Sequence, residues 1–100
     1  MTLDKLQKQV ADYDKQFGWT KDAPENAVLH MQEEVGEIAR NILKKNKYKK
    51  GKYNPDEMND EITDLLYLTL KLGNLLNLKL DEGWEKIRER YEAKSAENHG

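Results

Sequence analysis

The stretch PDEMNDEITDLLYLTLKLGNLLN, residues 55–77, decides the fold. Met58, Glu61, Leu65, Leu68, Leu72 and Leu75 follow one another at steps of three and four residues, which places them on one stripe of an α-helix. From Leu65 onward Leu66, Leu70 and Leu76 add apolar groups on the remaining sides. One neighbour cannot cover such a surface, so this helix is expected to be central and shared between subunits. Asn54 and Pro55 supply a start signal, and Asp56 and Glu57 suit the positive end of the helix dipole. The pattern predicts a helix running to about Asn77.

Working outward, Val28, Met31, Val35, Ile38 and Ile42 repeat the same spacing on a preceding helix. Asp22, Pro24 and Glu25 read as its start, with Asp22 as the capping acid. Leu3, Leu6, Val10, Tyr13 and Phe17 mark a first helix that ends at Gly18. After Leu78-Lys79-Leu80, Asp81 reads as the N-cap of a last helix that buries Trp84, Ile87 and Tyr91 and frays over residues 95–100. No strand-like alternation or repeat of solenoid length is present. The expectation is an all-α fold, an antiparallel four-helix bundle forming a single domain over residues 1–100. A chain of 100 residues builds a marginal core, so completion by oligomerisation, as a homodimer or homotetramer, is expected.

Composition narrows the function classes. The absence of cysteine removes disulfide scaffolds, thiolate nucleophiles and cysteine-based zinc sites. Charged residues keep the first apolar positions apart, unlike a signal peptide, and no run approaches the ~18 apolar residues of a bilayer span. A cytoplasmic protein with no membrane association is expected. A formal net charge of −2 gives no argument for binding a nucleic-acid polymer. The lysine-rich run Lys44–Lys52 reads as a solvated loop, with a mobile lid over substrate as the alternative.

The acids are the anomaly. Glu34 and Glu37 on the second helix, and Glu61 and Asp64 on the third, are pairs at three-residue spacing, each pair on one helical face. Glu61 also occupies the apolar stripe of its helix. Clustered carboxylates repel one another and are costly to bury without a cation. Oxygen-only ligands favour Mg²⁺, with Mn²⁺ as substitute, over zinc or copper. Two other readings stand beside this one. The acids are solvated charges on amphipathic helices, or they belong to a di-iron bundle, whose Glu-x-x-His spacing this sequence lacks, since His30 precedes the acids.

Glu33-Glu34-x-x-Glu37, then residues 38–60, then Glu61-x-x-Asp64 resembles the signature of MazG-like nucleotide pyrophosphohydrolases, within the all-α NTP pyrophosphatase superfamily. The likeness extends to Gly18-Trp19, the block from His30 to Glu37, Asp64-Leu65-Leu66, and the segment from Glu85 to Tyr91. It implies an enzyme that hydrolyses (deoxy)nucleoside triphosphates to the monophosphate and pyrophosphate, in nucleotide-pool house-cleaning. It implies Glu34, Glu37, Glu61 and Asp64 as the direct Mg²⁺ ligands, with Glu33, about 100° away around the helix, in a supporting or water-orienting role. It further implies Lys86 and Arg90, four residues apart on one helical face, as phosphate contacts, and Trp19 as a base contact. His30, one turn before Glu34, is a candidate contact to base, sugar or phosphate; Asn26, Asn74 and Tyr67 are weaker pocket candidates. Two rival functions are a phosphoribosyl-ATP pyrophosphohydrolase of the same superfamily and a non-catalytic helical interaction module, in which the acids only solubilise.

Overall fold

The computed structural model describes residues 2–48 and 50–99, and four helices account for most of them: α1 (Leu3–Phe17), α2 (Pro24–Lys45), α3 (Pro55–Leu75) and α4 (Leu80–His99). No strand occurs among the described residues. The all-α, four-helix expectation therefore holds. Thr2 caps α1 by accepting from the Lys5 N–H at 3.2 Å. At the other end Gly18 takes a left-handed conformation, φ 77°, and the Trp19 N–H reaches back to the Asp14 carbonyl at 2.7 Å. That six-to-one closure is the reason a glycine stands there. Asn54 caps α3 through Oδ1, which accepts from the Asp56 and Glu57 N–H groups at 2.9 and 3.3 Å. α3 stops at Leu75, two residues before Asn77, because Asn77 itself adopts φ 55° and the Leu78 N–H closes onto the Gly73 carbonyl at 2.8 Å.

α2 and α3 form an antiparallel pair and α1 packs across α3. Asn41, near the end of α2, donates to Glu61, near the start of α3, at 2.7 Å, which sets the register of the pair. Val10, Ala27, Met58, Leu68 and Leu70 are the buried apolar residues of a small core. A polar splice fastens α1 to the α3–α4 turn. The Gln7 amide donates to Asn74 Oδ1 at 3.1 Å and to the Leu78 carbonyl at 2.9 Å, and accepts from the Leu80 N–H at 3.0 Å. Gly73 permits that approach, since a Cβ there would lie 3.0 Å from Gln7 Nε2 and 3.1 Å from Leu80 Cδ1.

Several expectations are corrected. Asp22 caps nothing: the N-cap of α2 is Ala23, with no side-chain bond, and Asp22 pairs with Lys71 instead. Asp81 lies inside the first turn of α4 and accepts from the Leu3 and Asp4 N–H groups, both at 3.2 Å, so it serves the N-terminus of α1. α4 is helical through residue 95 and on to His99, and Gly100, the last residue of the stretch expected to fray, lies outside the described residues. It packs chiefly on α1, and the side expected to be buried is open, with Trp84 57% and Tyr91 61% exposed and only Ile87 half-buried. Lys44 and Lys45 belong to α2 rather than to the loop after it; in the loop Lys47 and Gly51 take positive φ, and Lys49 lies outside the described residues.

Candidate active site

Asp64, Tyr67, Leu68 and Lys71 climb one face of α3 at steps of three, one and three residues, so their side chains share a side of the helix. Opposite them stand His30 from α2 and Trp19 and Asp22 from the segment joining α1 to α2, and these seven residues line a cavity of about 330 Å³. That is near the lower end of the roughly 300–1,000 Å³ of small-molecule sites. The Trp19 indole packs on Phe17, with ring centroids 5.0 Å apart, and is left 46% exposed as a cavity wall. An indole wall with a few convergent polar groups suits a flat heterocycle.

A buried polar cluster forms the floor. Lys71 is 6% exposed and Asp14, on α1, is 5% exposed. The Lys71 ammonium lies 2.6 Å from Asp22 Oδ2, 3.8 Å from Asp14 Oδ1 and 5.7 Å from the centroid of the Trp19 ring. The Tyr67 hydroxyl donates to Asp14 Oδ1 at 2.8 Å. Burial, and then the hydrogen bond to the Asp14 carboxylate, push the Tyr67 phenol far above the ordinary tyrosine range. No buried side-chain nitrogen or oxygen is left without a partner among the described residues.

Of the acids, Glu34 and Glu61 are half-buried and Glu33, Glu37 and Asp64 are exposed. Glu61 sits on the apolar stripe, as its spacing requires, and takes its hydrogen bond from the buried Asn41. Glu34 faces His30, with Oε1 3.5 Å from Nε2. Through His30 and Asp64 the acid pairs of α2 and α3 adjoin the cavity. Among the described residues, no three acidic or histidine side chains converge closely enough to hold a metal ion as they stand. The donor chemistry nonetheless fits a hard divalent cation, because every candidate ligand is a carboxylate and one of them is held half-buried between apolar neighbours.

Trp19, His30 and Asp64, expected at the site, are thus brought together. Lys86 and Arg90 are not: both are exposed on α4, and neither lines the cavity. Neither takes part in an ion pair among the described residues; on α4 it is Arg88 that bridges Glu85 and Glu92. Asn74 is spent on Gln7, and Asn26 lies outside the cavity lining. Tyr67 lines the cavity but spends its hydroxyl on Asp14. Asp14, Asp22 and Lys71 were missed as site residues. The available signal was Lys71 itself, a lysine seven residues after Asp64 and therefore on the same side of an otherwise leucine-rich helix.

The fold defines the class, an all-α four-helix protein. The chain belongs to the family of the MazG nucleotide pyrophosphohydrolase domain, whose family model matches residues 22–97. It is 28% identical over 92 residues to YpjD of Bacillus subtilis (strain 168), a protein of uncharacterised function, across 90% of this chain and 83% of YpjD. A crystal structure of B. subtilis YpjD, proposed to be a pyrophosphatase, superposes with a TM-score of 0.78 at 27% identity, covering 91% of this chain and 95% of that one. No helix among the described residues is long and apolar enough to cross a membrane.

Proposed function

We propose that this protein hydrolyses (deoxy)nucleoside triphosphates between the α and β phosphates, releasing the monophosphate and pyrophosphate, with Mg²⁺ as the metal and Mn²⁺ as its substitute. The observation that carries this reading is the shared cavity: Asp64 of the α3 acid pair lines the same space as Trp19 and His30. A nucleotide whose base rests on the indole has its phosphates directed toward the acids of α2 and α3. Glu34, Glu37, Glu61 and Asp64 would hold the metal, with Glu33 orienting water. When bound, Mg²⁺ supplies charge neutralisation of the triphosphate and activation of water.

The protein's own groups do the remaining work. Asn41 holds one carboxylate oxygen of Glu61 and so restricts the rotation of that side chain. His30, in contact with Glu34, stands between that acid and the cavity. Lys86 and Arg90 reach phosphates in this reading only where α4 of one chain approaches the α2–α3 pair of another. Exposed apolar groups on that pair, Val28, Leu29, Val35, Ile62, Leu66 and Leu76, support assembly as a homodimer or homotetramer.

The test is pyrophosphate release from a panel of standard and damaged nucleoside triphosphates with Mg²⁺, comparing wild type with Glu37→Gln and Asp64→Asn. Monophosphate as co-product, lost in both variants, is the expected result. Release that survives both substitutions would remove these acids from the chemistry. Activity confined to phosphoribosyl-ATP would reassign the substrate.

A further inference from the structure

Lys71 occupies a position that disfavours lysine, on the leucine-rich α3 with 6% of its surface exposed. Its three partners are Asp14, Trp19 and Asp22, and all belong to the end of α1 and the segment that follows it. Among the described residues no other hydrogen bond or ion pair joins the segment after α1 to α3. The N-cap residue of α2 makes no side-chain bond, and Asp22, placed where it could have capped, spends its carboxylate on Lys71. The Trp19 N–H is tied back to α1 alone. We propose that Lys71 is a positioning residue for the substrate cavity: by pairing with Asp22 and lying against the Trp19 ring, it fixes the α1–α2 segment so that the indole faces Asp64 across the cavity. The inference rests on the nucleotide reading of that cavity.

The charge count argues for positioning rather than phosphate binding. Asp22 at 2.6 Å and Asp14 at 3.8 Å already offset the single charge of Lys71, which leaves the lysine to act through its neighbours rather than as a phosphate anchor. A purely structural ion pair would change stability and leave substrate affinity per folded molecule unaltered. A positioning residue changes KM, because a mobile indole must be ordered each time the base binds.

The experiment places all variants in a Trp84→Phe background, which removes the exposed indole of α4 and leaves Trp19 as the only tryptophan. Lys71→Gln removes the ammonium, Lys71→Arg keeps a cation, and Asp22→Asn breaks the pair at its half-exposed end, where the fold is least at risk. Two quantities are read on folded protein: acrylamide quenching of Trp19, and KM with kcat for the best triphosphate. Lys71→Gln and Asp22→Asn are expected to raise KM about tenfold with kcat within about threefold, and to make Trp19 more quenchable; Lys71→Arg is expected to restore both (a tenfold change being about 1.4 kcal/mol). Unchanged quenching with unchanged KM overturns the proposal. If the wild type hydrolyses no triphosphate, it is the nucleotide reading that fails, and the quenching of Asp22→Asn alone still decides whether Lys71 orders Trp19.

Discussion

Replacing Lys71 by Met is expected to cost about 3 kcal/mol of folding stability. The side chains of Lys71 and Asp14 are each 7% exposed, so removal of the ammonium strands the Asp14 carboxylate in the interior. Breaking a buried pair by deleting one partner costs about 3–5 kcal/mol. Asp14 keeps the Tyr67 hydroxyl at 2.8 Å, which trims the cost toward the lower end of that range. Asp22 adds little, because its side chain is 47% exposed and returns to water when unpaired. For a domain of this size each kcal/mol moves the melting temperature by roughly 4–8 °C, giving a fall of roughly 12–24 °C. Urea unfolding at pH 7 followed by circular dichroism, with the denaturant slope compared between variants, reads the free energy directly. Adding Asp14→Asn to Lys71→Met removes the stranded charge, and the double variant is expected to be more stable than the sum of the single losses by at least about 1.5 kcal/mol. A single-variant loss below about 1 kcal/mol, or strict additivity in the double variant, would refute the stranded-charge reasoning.

Four further outcomes are expected. Tyr67→Phe should destabilise by about 1.5–3 kcal/mol through loss of the bond to Asp14; because the folded-state phenol is held above its unfolded value, that contribution is complete below about pH 10 and is lost as pH rises further, so unfolding free energies measured across that range should fall more steeply in wild type than in the variant. Asn41→Leu, which strips Glu61 of its donor, should cost about 1–3 kcal/mol and lower the stabilisation that Mg²⁺ gives in thermal melts; a variant with wild-type melting, with and without Mg²⁺, would contradict it. Gly73→Ala drives a methyl group against Gln7 and Leu80 and should cost about 1–3 kcal/mol in urea unfolding. Asn54→Ala removes the cap of α3 and should cost about 0.5–2 kcal/mol, visible in the same assay.

Much of the fold was legible because helical signals are local. The three-and-four spacing through Leu65, Leu68 and Leu72, the Asn54 cap and the Gly18 terminator each depend on residues within one or two turns, and each is present where the spacing placed it. Asp22 and Asp81 misled for the complementary reason. Both stand at helix starts with capping chemistry, but a carboxylate takes the best donor that space offers, and for these two the donors come from 49 and about 77 residues away.

The candidate site divides along the same line. The acid pairs Glu34 with Glu37 and Glu61 with Asp64 were readable from periodicity, since residues three apart on a helix are neighbours whatever surrounds them. Which acids face the cavity, that Glu61 is held by Asn41, and that Lys86 and Arg90 lie outside that cavity depend on how α2, α3 and α4 cross. So does the role of Lys71. By itself the sequence determined four helices, the Asn54 cap, the Gly18 terminator and the neighbouring of the carboxylates within each pair, because those follow from bonds and spacings within a turn. Only the tertiary structure decided that a lysine in a leucine-rich helix is the ion-pair partner of Asp14 and Asp22, because the charges that make its burial tolerable arrive from another part of the chain.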